Sequence, residues 1–453
     1  MTKNKPEQMV PIALGVVGVV GLMWSWLFGI RVAALSTSTV IGYFSTLFAF
    51  VVIVAISVAL FLCAIRYFAQ EYRANPPTWR FLAKLFVVWA AVEFGVSVLI
   101  TIIWIGRNGS VDSVLPFGSF APLLAFTPFG FLARFVGFHG LSAAFVVLVS
   151  VVVFKKLRKY APAVMVLLFA GTLLAWGLYR TPAGQGVDTQ IIANHEGVSD
   201  PLATQSQLVI FPEYGLNGMS DGDIHTKLIE NGDREIFYVG SRRWDVADGG
   251  QNVLVFGSTI QGVITERPKS RLIPGGEYLP YAAELPLRLV HADTVLEQFT
   301  LARAIEKGSE KAMPLQVTSN IKLGSGVCAS IIAPKDYRGM TKDGATLLTN
   351  SASLGVFNSS LFTLQHQGLA KFMAVANARS FLQSSSDGLA FAIDHNGRML
   401  AKISAVNSAE VTVHTNNKKT PYTYLGEWPA YIGLAVLFFG LLRVIRLRSK
   451  AKH

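Results

Sequence analysis

Cysteine is nearly absent from this sequence: its 453 residues include two, Cys63 and Cys328. Cys63 lies inside an apolar run and Cys328 lies outside any, so the two cannot build a common site, and Cys63 reads as an apolar packing residue. Charge is scarce as well, at 15% of residues against 51% hydrophobic. That balance is too apolar for an ordinary soluble enzyme, and the chain is too long for one domain. The eight histidines show no HExxH or other ligand-like spacing, so no metal site is expected. Internal repeats and low-complexity linkers are missing too. The net charge of +12 comes without interleaved basic and aromatic residues, which argues against nucleic-acid binding.

What is present is a series of apolar runs: Val10 to Ile30, Val40 to Ile65, Phe81 to Ile105, Phe138 to Phe154, Ala161 to Tyr179 and Trp428 to Val444. Each is of a length that spans a hydrocarbon core of about 30 Å at about 1.5 Å per residue. Basic residues gather in RYFAQEYRANPPTWR, in KKLRK (Lys155 to Lys159) and in the terminal RLRSKAKH, and Lys3 and Lys5 precede the first run. The positive-inside rule places all of them in the cytoplasm. The first run is long and lacks a small-residue cleavage site, so it is expected to stay attached. Gly106 to Gly137, rich in Phe, Pro and Gly, reads as an external arm dipping into the interface. Three parts follow: residues 1–180, a bundle of about five spans plus the arm at 106–137; residues 181–427, an external domain; and residues 428–453, a final span with a basic cytoplasmic tail. TPAGQGVDTQ (181 to 190) is the expected hinge.

The external part reads as layered α/β. Candidate strands are 208–211, 235–240, 252–258, the approach to Cys328, 345–350 and 389–394, all β-branched or aromatic and bounded by Gly, Asn or Asp. One long helix is expected from Ser360 to Phe381, with Leu361, Leu364, Phe372, Val375 and Ala376 facing a sheet.

Cys328 sits in NIKLGSGVCASIIAP, between a glycine-rich bend and a short apolar run. A lone thiol in an oxidising compartment is a liability unless it is buried or kept as a reactive group, and position alone leaves both readings open. Upstream lie Glu213 in LVIFPE, Lys269 in ERPKSRL and Glu277 in GGEYLP; each alone reads as a solvated strand-end or turn charge. Together, Glu, Lys and Cys can build a covalent acyl-transfer site. A cation lowers the thiol pKa, a glutamate carries the proton, and a lysine can meet an oxyanion. Gly218-Met-Ser220-Asp-Gly222 fits GxSxG, with His225 nearby. A nucleophile elbow joins strand directly to helix, whereas here the strand ends well before Ser220, so a surface loop is expected. Glu93, in the middle of the third span, is a functional candidate by default or a paired residue that fixes helix packing.

These blocks resemble the nitrilase (carbon-nitrogen hydrolase) superfamily and, within it, the apolipoprotein N-acyltransferase family. LVIFPE is similar to the strand with the catalytic glutamate, Lys269 with LIPGGEYLP to a lysine followed by LVPFGEYxP, and GVC to the nucleophile strand. ARSFLQSSSDGLAFAID is similar to the block near the domain's end, and AVEF (91 to 94) and GFHGLSAAF (137 to 145) look like intramembrane blocks. The resemblance implies a four-layer αββα sandwich inserted in an α-helical transmembrane bundle. It also implies catalytic Glu213, Lys269 and Cys328, a supporting Glu277, no cofactor and a thioester intermediate. The expected substrates are a phospholipid acyl donor and the N-terminal amine of a lipoprotein. Arg134, His139 and Glu93 are candidates for lipid binding, the first two at a phospholipid headgroup. The expected setting is the bacterial inner (plasma) membrane, with the catalytic domain on the periplasmic side and the protein a monomer.

The sequence departs from the family pattern at identifiable points. Ala329-Ser330 stands where Tyr-Glu is usual, and Asn350-Ser351-Ala352-Ser353 where Asn-Asp-Ala-Trp is usual. Five leading spans replace seven, and little chain is left before LVIFPE for the usual first strand and helix. Two alternatives therefore stay open: a nitrilase-type amidase or acyltransferase with another acceptor, one linked to conjugation for example, and a catalytically weak membrane scaffold.

Overall fold

The computed structural model describes residues 9–29, 39–74, 77–107, 109, 111, 118–193, 206–229, 235–246, 249–297, 305, 307–308, 312–355, 357, 359–386, 389–404 and 408–450. Lys3, Lys5 and part of the arm at 106–137 lie outside them.

The apolar runs form helices α1 (Met9–Trp24), α2 (Thr39–Ala74), α3 (Trp79–Ile103), α5 (Ala133–Val153) and α6 (Ala161–Leu178), with α12 (Trp428–Lys450) at the end of the chain. Among the described residues, six helical stretches, Pro11–Gly29, Thr46–Ala74, Trp79–Ile103, Pro128–Val153, Arg158–Leu178 and Trp428–Arg446, are long and apolar enough to cross a membrane. The chain is accordingly a multi-pass membrane protein. α12 returns to pack on α3, and the approach is close enough that a side chain at Gly433 would strike Val87 O.

Between α6 and α12 lie two six-stranded sheets. The first has the order β12-β1-β2-β3-β4-β5 and the second β11-β10-β9-β8-β7-β6. In the first, β1 (Gly186–Ile192), β2 (Leu208–Ile210) and β3 (Phe237–Val246) are parallel, and β4 (Gly249–Ser258), β5 (Gly262–Pro268) and β12 (Ser408–His414) complete it antiparallel. In the second, β7 (Lys322–Val327), β8 (Leu347–Ser353) and β9 (Phe381–Ser386) form the parallel centre, flanked by β6 (Leu315–Gln316), β10 (Leu389–Ile393) and β11 (Met399–Ser404).

The sheets face each other across a shared core that includes Ile191, Ile210 and Val239 from the first and Leu323, Leu347 and Leu382 from the second. On the outer face of the first sheet, Ile224 and Leu228 of α7 (Asp221–Ile229) bury against Val209, Tyr238 and Val255. Tyr337 and Met340 of α9 (Pro334–Lys342), and Phe372 and Met373 of α10 (Ser360–Asn377), cover the second. The result is the expected αββα layering. Such double cover makes the central strands apolar on both faces, which is why LVI and LLT read as continuous hydrophobic runs.

Several expectations need correction. The hinge at 181–190 is half strand, because β1 begins at Gly186, and this same β1 supplies the first strand that had looked squeezed out. The glycine-rich bend before Cys328 is the strand β7 itself; its Gly326 is required by close packing, since a Cβ there would meet Tyr337 Oη and Ser330 Cβ. The long helix stops at Asn377 rather than Phe381. Ala378 turns left-handed with φ +50°, and the chain enters β9. The helix faces differ too: Leu364 is exposed while Phe372 is buried. Within the arm, a short α4 (Ala121–Leu124) is buried at Ala121. Pro122 O lies so near α10 that only glycine fits at Gly368. Cys63 is exposed on α2, so it does not pack inside the bundle. Ser220 precedes α7 on a loop and accepts a hydrogen bond from Asp223 N at 3.2 Å.

Candidate active site

β2 lies in the first sheet and β7 in the second, and because the two sheets pack face to face, the segments that leave these strands meet even though they are far apart in sequence. Glu213 follows β2 by three residues, and its backbone N donates to Ala352 O of β8 at 3.1 Å, a bond that crosses from one sheet to the other. Cys328 follows β7 directly, at the start of a one-turn 3-10 helix, Cys328–Ile332.

The conformation at the thiol is strained. Cys328 has φ +42°, a left-handed value that costs a non-glycine residue of order 1–3 kcal/mol and persists only where surroundings impose it. The surroundings here are specific. Ser330 Oγ accepts from Val327 N at 3.1 Å and pins the turn, and Asn350 Nδ2 donates to Cys328 O at 3.4 Å. Asn350 is itself held by Tyr337, whose hydroxyl donates to Oδ1 at 3.1 Å. Ser330 thus takes a backbone role in this chain.

Lys269, one residue beyond β5, reaches into the same space. Its ammonium donates to Glu213 Oε1 at 2.9 Å and to Glu277 Oε1 at 2.7 Å. Glu277 is fixed from its other oxygen, which accepts from Ile273 N at 2.8 Å. Asn252 of β4 donates its side-chain amide to Glu213 Oε1 at 2.7 Å. Glu213, Lys269, Glu277 and Cys328 are each 2–6% exposed. All four charged or thiol residues singled out in this part of the chain therefore converge, and they are buried rather than solvated.

Burial decides the electrostatics. The Cys328 thiol is pushed well above its ordinary value, by desolvation first and then by Glu213, which also hydrogen-bonds it; Lys269 pulls the other way and does not prevail. Lys269 suffers the same desolvation, but the two carboxylates outweigh it and hold the ammonium well above the usual lysine value. Glu277 is raised by burial, with Lys269 opposing. At neutral pH the resting pair is accordingly a thiol and an ammonium. Among the described residues no His, Cys, Asp or Glu group is arranged to hold a metal ion.

Other candidates stand elsewhere. Arg134 is fully buried, and its guanidinium donates to Val375 O at 3.0 Å, Ala175 O at 2.8 Å, His395 O at 2.7 Å and Asn396 Oδ1 at 3.0 Å. With four acceptors engaged and no access, it ties α5 to α6 and α10 rather than meeting a headgroup. Glu93 accepts from Ser142 Oγ at 2.7 Å, and its second oxygen lies 3.6 Å from His139 Nδ1. Sequence reasoning missed Asn252 and Tyr337. Asn252 lies in NVLVFGS, which shows only a strand, and no pattern there marks a polar side chain turned toward Glu213.

No family model matches the chain. Over 178 residues it is 29% identical to an apolipoprotein N-acyltransferase of Vibrio vulnificus, covering 38% of this chain and 33% of that protein. Over 181 residues it is 30% identical to apolipoprotein N-acyltransferase 1 of Treponema denticola, covering 39% and 32%. The chain thus matches about a third of the length of these curated relatives. Among solved structures, a carbon-nitrogen hydrolase of Helicobacter pylori aligns with 51% of this chain and 89% of its own, at a TM-score of 0.39 and 14% identity. By the shared sequence, the chain resembles the apolipoprotein N-acyltransferases of the nitrilase superfamily, as a divergent relative.

Proposed function

We propose that this protein transfers an acyl chain from a phospholipid, through a thioester on Cys328, to the N-terminal amine of a lipoprotein. The observation that carries the reading is the buried cluster in which Lys269 bridges Glu213 and Glu277 beside a strained cysteine. Its setting supports a lipid donor. The loop that carries Glu277 is tied to the end of α3, where Tyr278 Oη donates to Trp104 O at 2.7 Å and Tyr281 N to Ile105 O at 2.8 Å.

The chemistry balances with these groups alone. Because the thiol is not ionised at rest, Glu213 takes its proton as the sulfur attacks the ester carbonyl. Lys269 spends two of its three N–H donors on carboxylates, and the third meets the oxyanion, a contribution of about 3–4 kcal/mol where such donors have been removed elsewhere. The C–O bond of the ester breaks, the leaving alkoxide takes the proton from Glu213, and the lysolipid departs. The acceptor amine then attacks the thioester and gives up its proton to Glu213. The C–S bond breaks and the proton passes to the sulfur, restoring the thiol. The helices would span the inner membrane, with the two-sheet part as a domain on the periplasmic side.

The test is mass spectrometry of lipoprotein N termini in cells depleted of their own acyltransferase. The wild-type chain should restore the third acyl chain and Cys328→Ala should not. Failure of the wild type removes the lipoprotein acceptor; restoration by Cys328→Ala removes the mechanism.

A further inference from the structure

The loop that carries Glu277 runs into a short helix, α8 (Tyr281–Leu289), none of whose residues is buried. Its outward side is apolar. Tyr281, Leu285 and Leu289 recur at i, i+4 and i+8, so they share one stripe, and they are 42%, 57% and 80% exposed. Ala282 and Pro286 beside the stripe are exposed as well. The charged residues of the helix, Glu284 and Arg288, pair with each other at 2.7 Å along one edge of it. A helix on the surface of a water-soluble domain turns its polar face outward; α8 does the reverse.

The start of α8 is fixed to the end of a membrane span. Tyr281 N donates to Ile105 O at 2.8 Å, and Tyr278 Oη donates to Trp104 O at 2.7 Å. Trp104 and Ile105 directly follow α3, whose last turn still shows Ile102 at 44% exposure. Trp104, Tyr278 and Tyr281 therefore gather at the depth where the span ends. Tyr and Trp collect at such a level because an apolar ring and a polar tip suit the boundary between hydrocarbon and water.

We infer that α8 lies in the membrane–water boundary on the side of the two sheets, with the stripe of Tyr281, Leu285 and Leu289 sunk into lipid. A helix so placed buries its apolar face about 5–10 Å into the boundary of headgroups and acyl chains, and Arg288 at the edge of the stripe reaches back toward the phosphates on its own aliphatic stem. A second copy of the chain is the other occupant that an exposed apolar stripe fits. Attachment to the end of a span selects lipid, because that span already carries α8 to the membrane surface. The surface involves no bond formation and stands apart from the acyl transfer proposed above.

The experiment is site-directed spin labelling of the full chain in nanodiscs of phosphatidylcholine and phosphatidylglycerol, in a background of Cys63→Ala and Cys328→Ala that leaves one thiol per variant. Labels go on Leu285→Cys and Leu289→Cys, and on Ile260→Cys as the control. Ile260 is 65% exposed at the turn between β4 and β5, the far end of β5 from Lys269. All three positions are exposed, so the substitutions leave the core intact. Power saturation compares collisions with oxygen, which enters lipid, against those with a water-soluble nickel chelate. The labels at 285 and 289 should favour oxygen and report a depth of about 5–10 Å, while the label at 260 meets the chelate. Labels at 285 and 289 as open to the chelate as that at 260 would overturn the inference. So would labels shielded from both reagents whose spectra sharpen when labelled chains are diluted with unlabelled ones, which would assign the stripe to a second copy.

Discussion

Asn252 donates its side-chain amide to Glu213 Oε1 at 2.7 Å, on the same carboxylate oxygen that accepts from Lys269. Two donors on one oxygen hold the carboxylate in place, and the same glutamate hydrogen-bonds the Cys328 thiol. Asn252 acts through Glu213, so Asn252→Ala should lower kcat about tenfold, less than the roughly 10²–10⁴ that loss of the general base itself costs, and leave KM for the lipid donor unchanged. Steady-state kinetics that show a change in KM alone would assign Asn252 to substrate binding instead.

The thiol offers a pH test whose sign follows from its surroundings. Burial and Glu213 both raise the Cys328 pKa and Lys269 lowers it. Removing the charge with Glu213→Gln should therefore move the alkylation profile of Cys328 to lower pH, even as acyl transfer falls by about 10²–10⁴. Peptide mapping separates Cys328 from the exposed Cys63. A profile that stays in place would mean that Glu213 does not act on the thiol.

Lys269→Met should strand two buried carboxylates. Breaking one side of a buried ion pair costs about 3–5 kcal/mol, read as a fall in thermal stability in detergent at neutral pH. Wild-type Lys269 has a raised pKa, so its contribution is complete below the unfolded value of about 10.4 and is lost as pH rises through the higher folded one. The variant behaves in the opposite way. Glu277, already raised by burial, can take up a proton, so the deficit should shrink as pH falls below neutral.

Arg134→Met should lower thermal stability by about 3 kcal/mol or more, since hydrogen bonds from a charged group are worth about 1.5–3 kcal/mol and four acceptors are released. KM for the phospholipid should not move. A raised KM with unaltered stability would restore the headgroup role that the sequence suggested.

How far the sequence could be read depends on whether a signal is local. Strands β2, β3, β4, β8 and β10 hold apolar runs and are legible, and β7, KLGSGV, is legible only as the approach to Cys328. β12 alternates exposed and half-buried residues and finds its place only by pairing with β1, more than two hundred positions away. β6 is two residues long and carries no pattern. The end of α10 was misplaced because Ala378 adopts a left-handed turn, which alanine does not advertise.

The residues by themselves determined the membrane spans, the α/β character between them, and the four blocks holding Glu213, Lys269, Glu277 and Cys328, because hydropathy period and motif spacing are properties of neighbouring positions. Only the tertiary structure decided that those four side chains meet, that Asn252 joins them, and that Arg134 is a buried tie. The physical reason is that convergence is set by the packing of two sheets against each other, which brings together segments from β2, β4, β5 and β7 that no local pattern relates. Burial, which turns an ordinary lysine and thiol into a coupled pair, exists only once both sheets and their helices have closed over them.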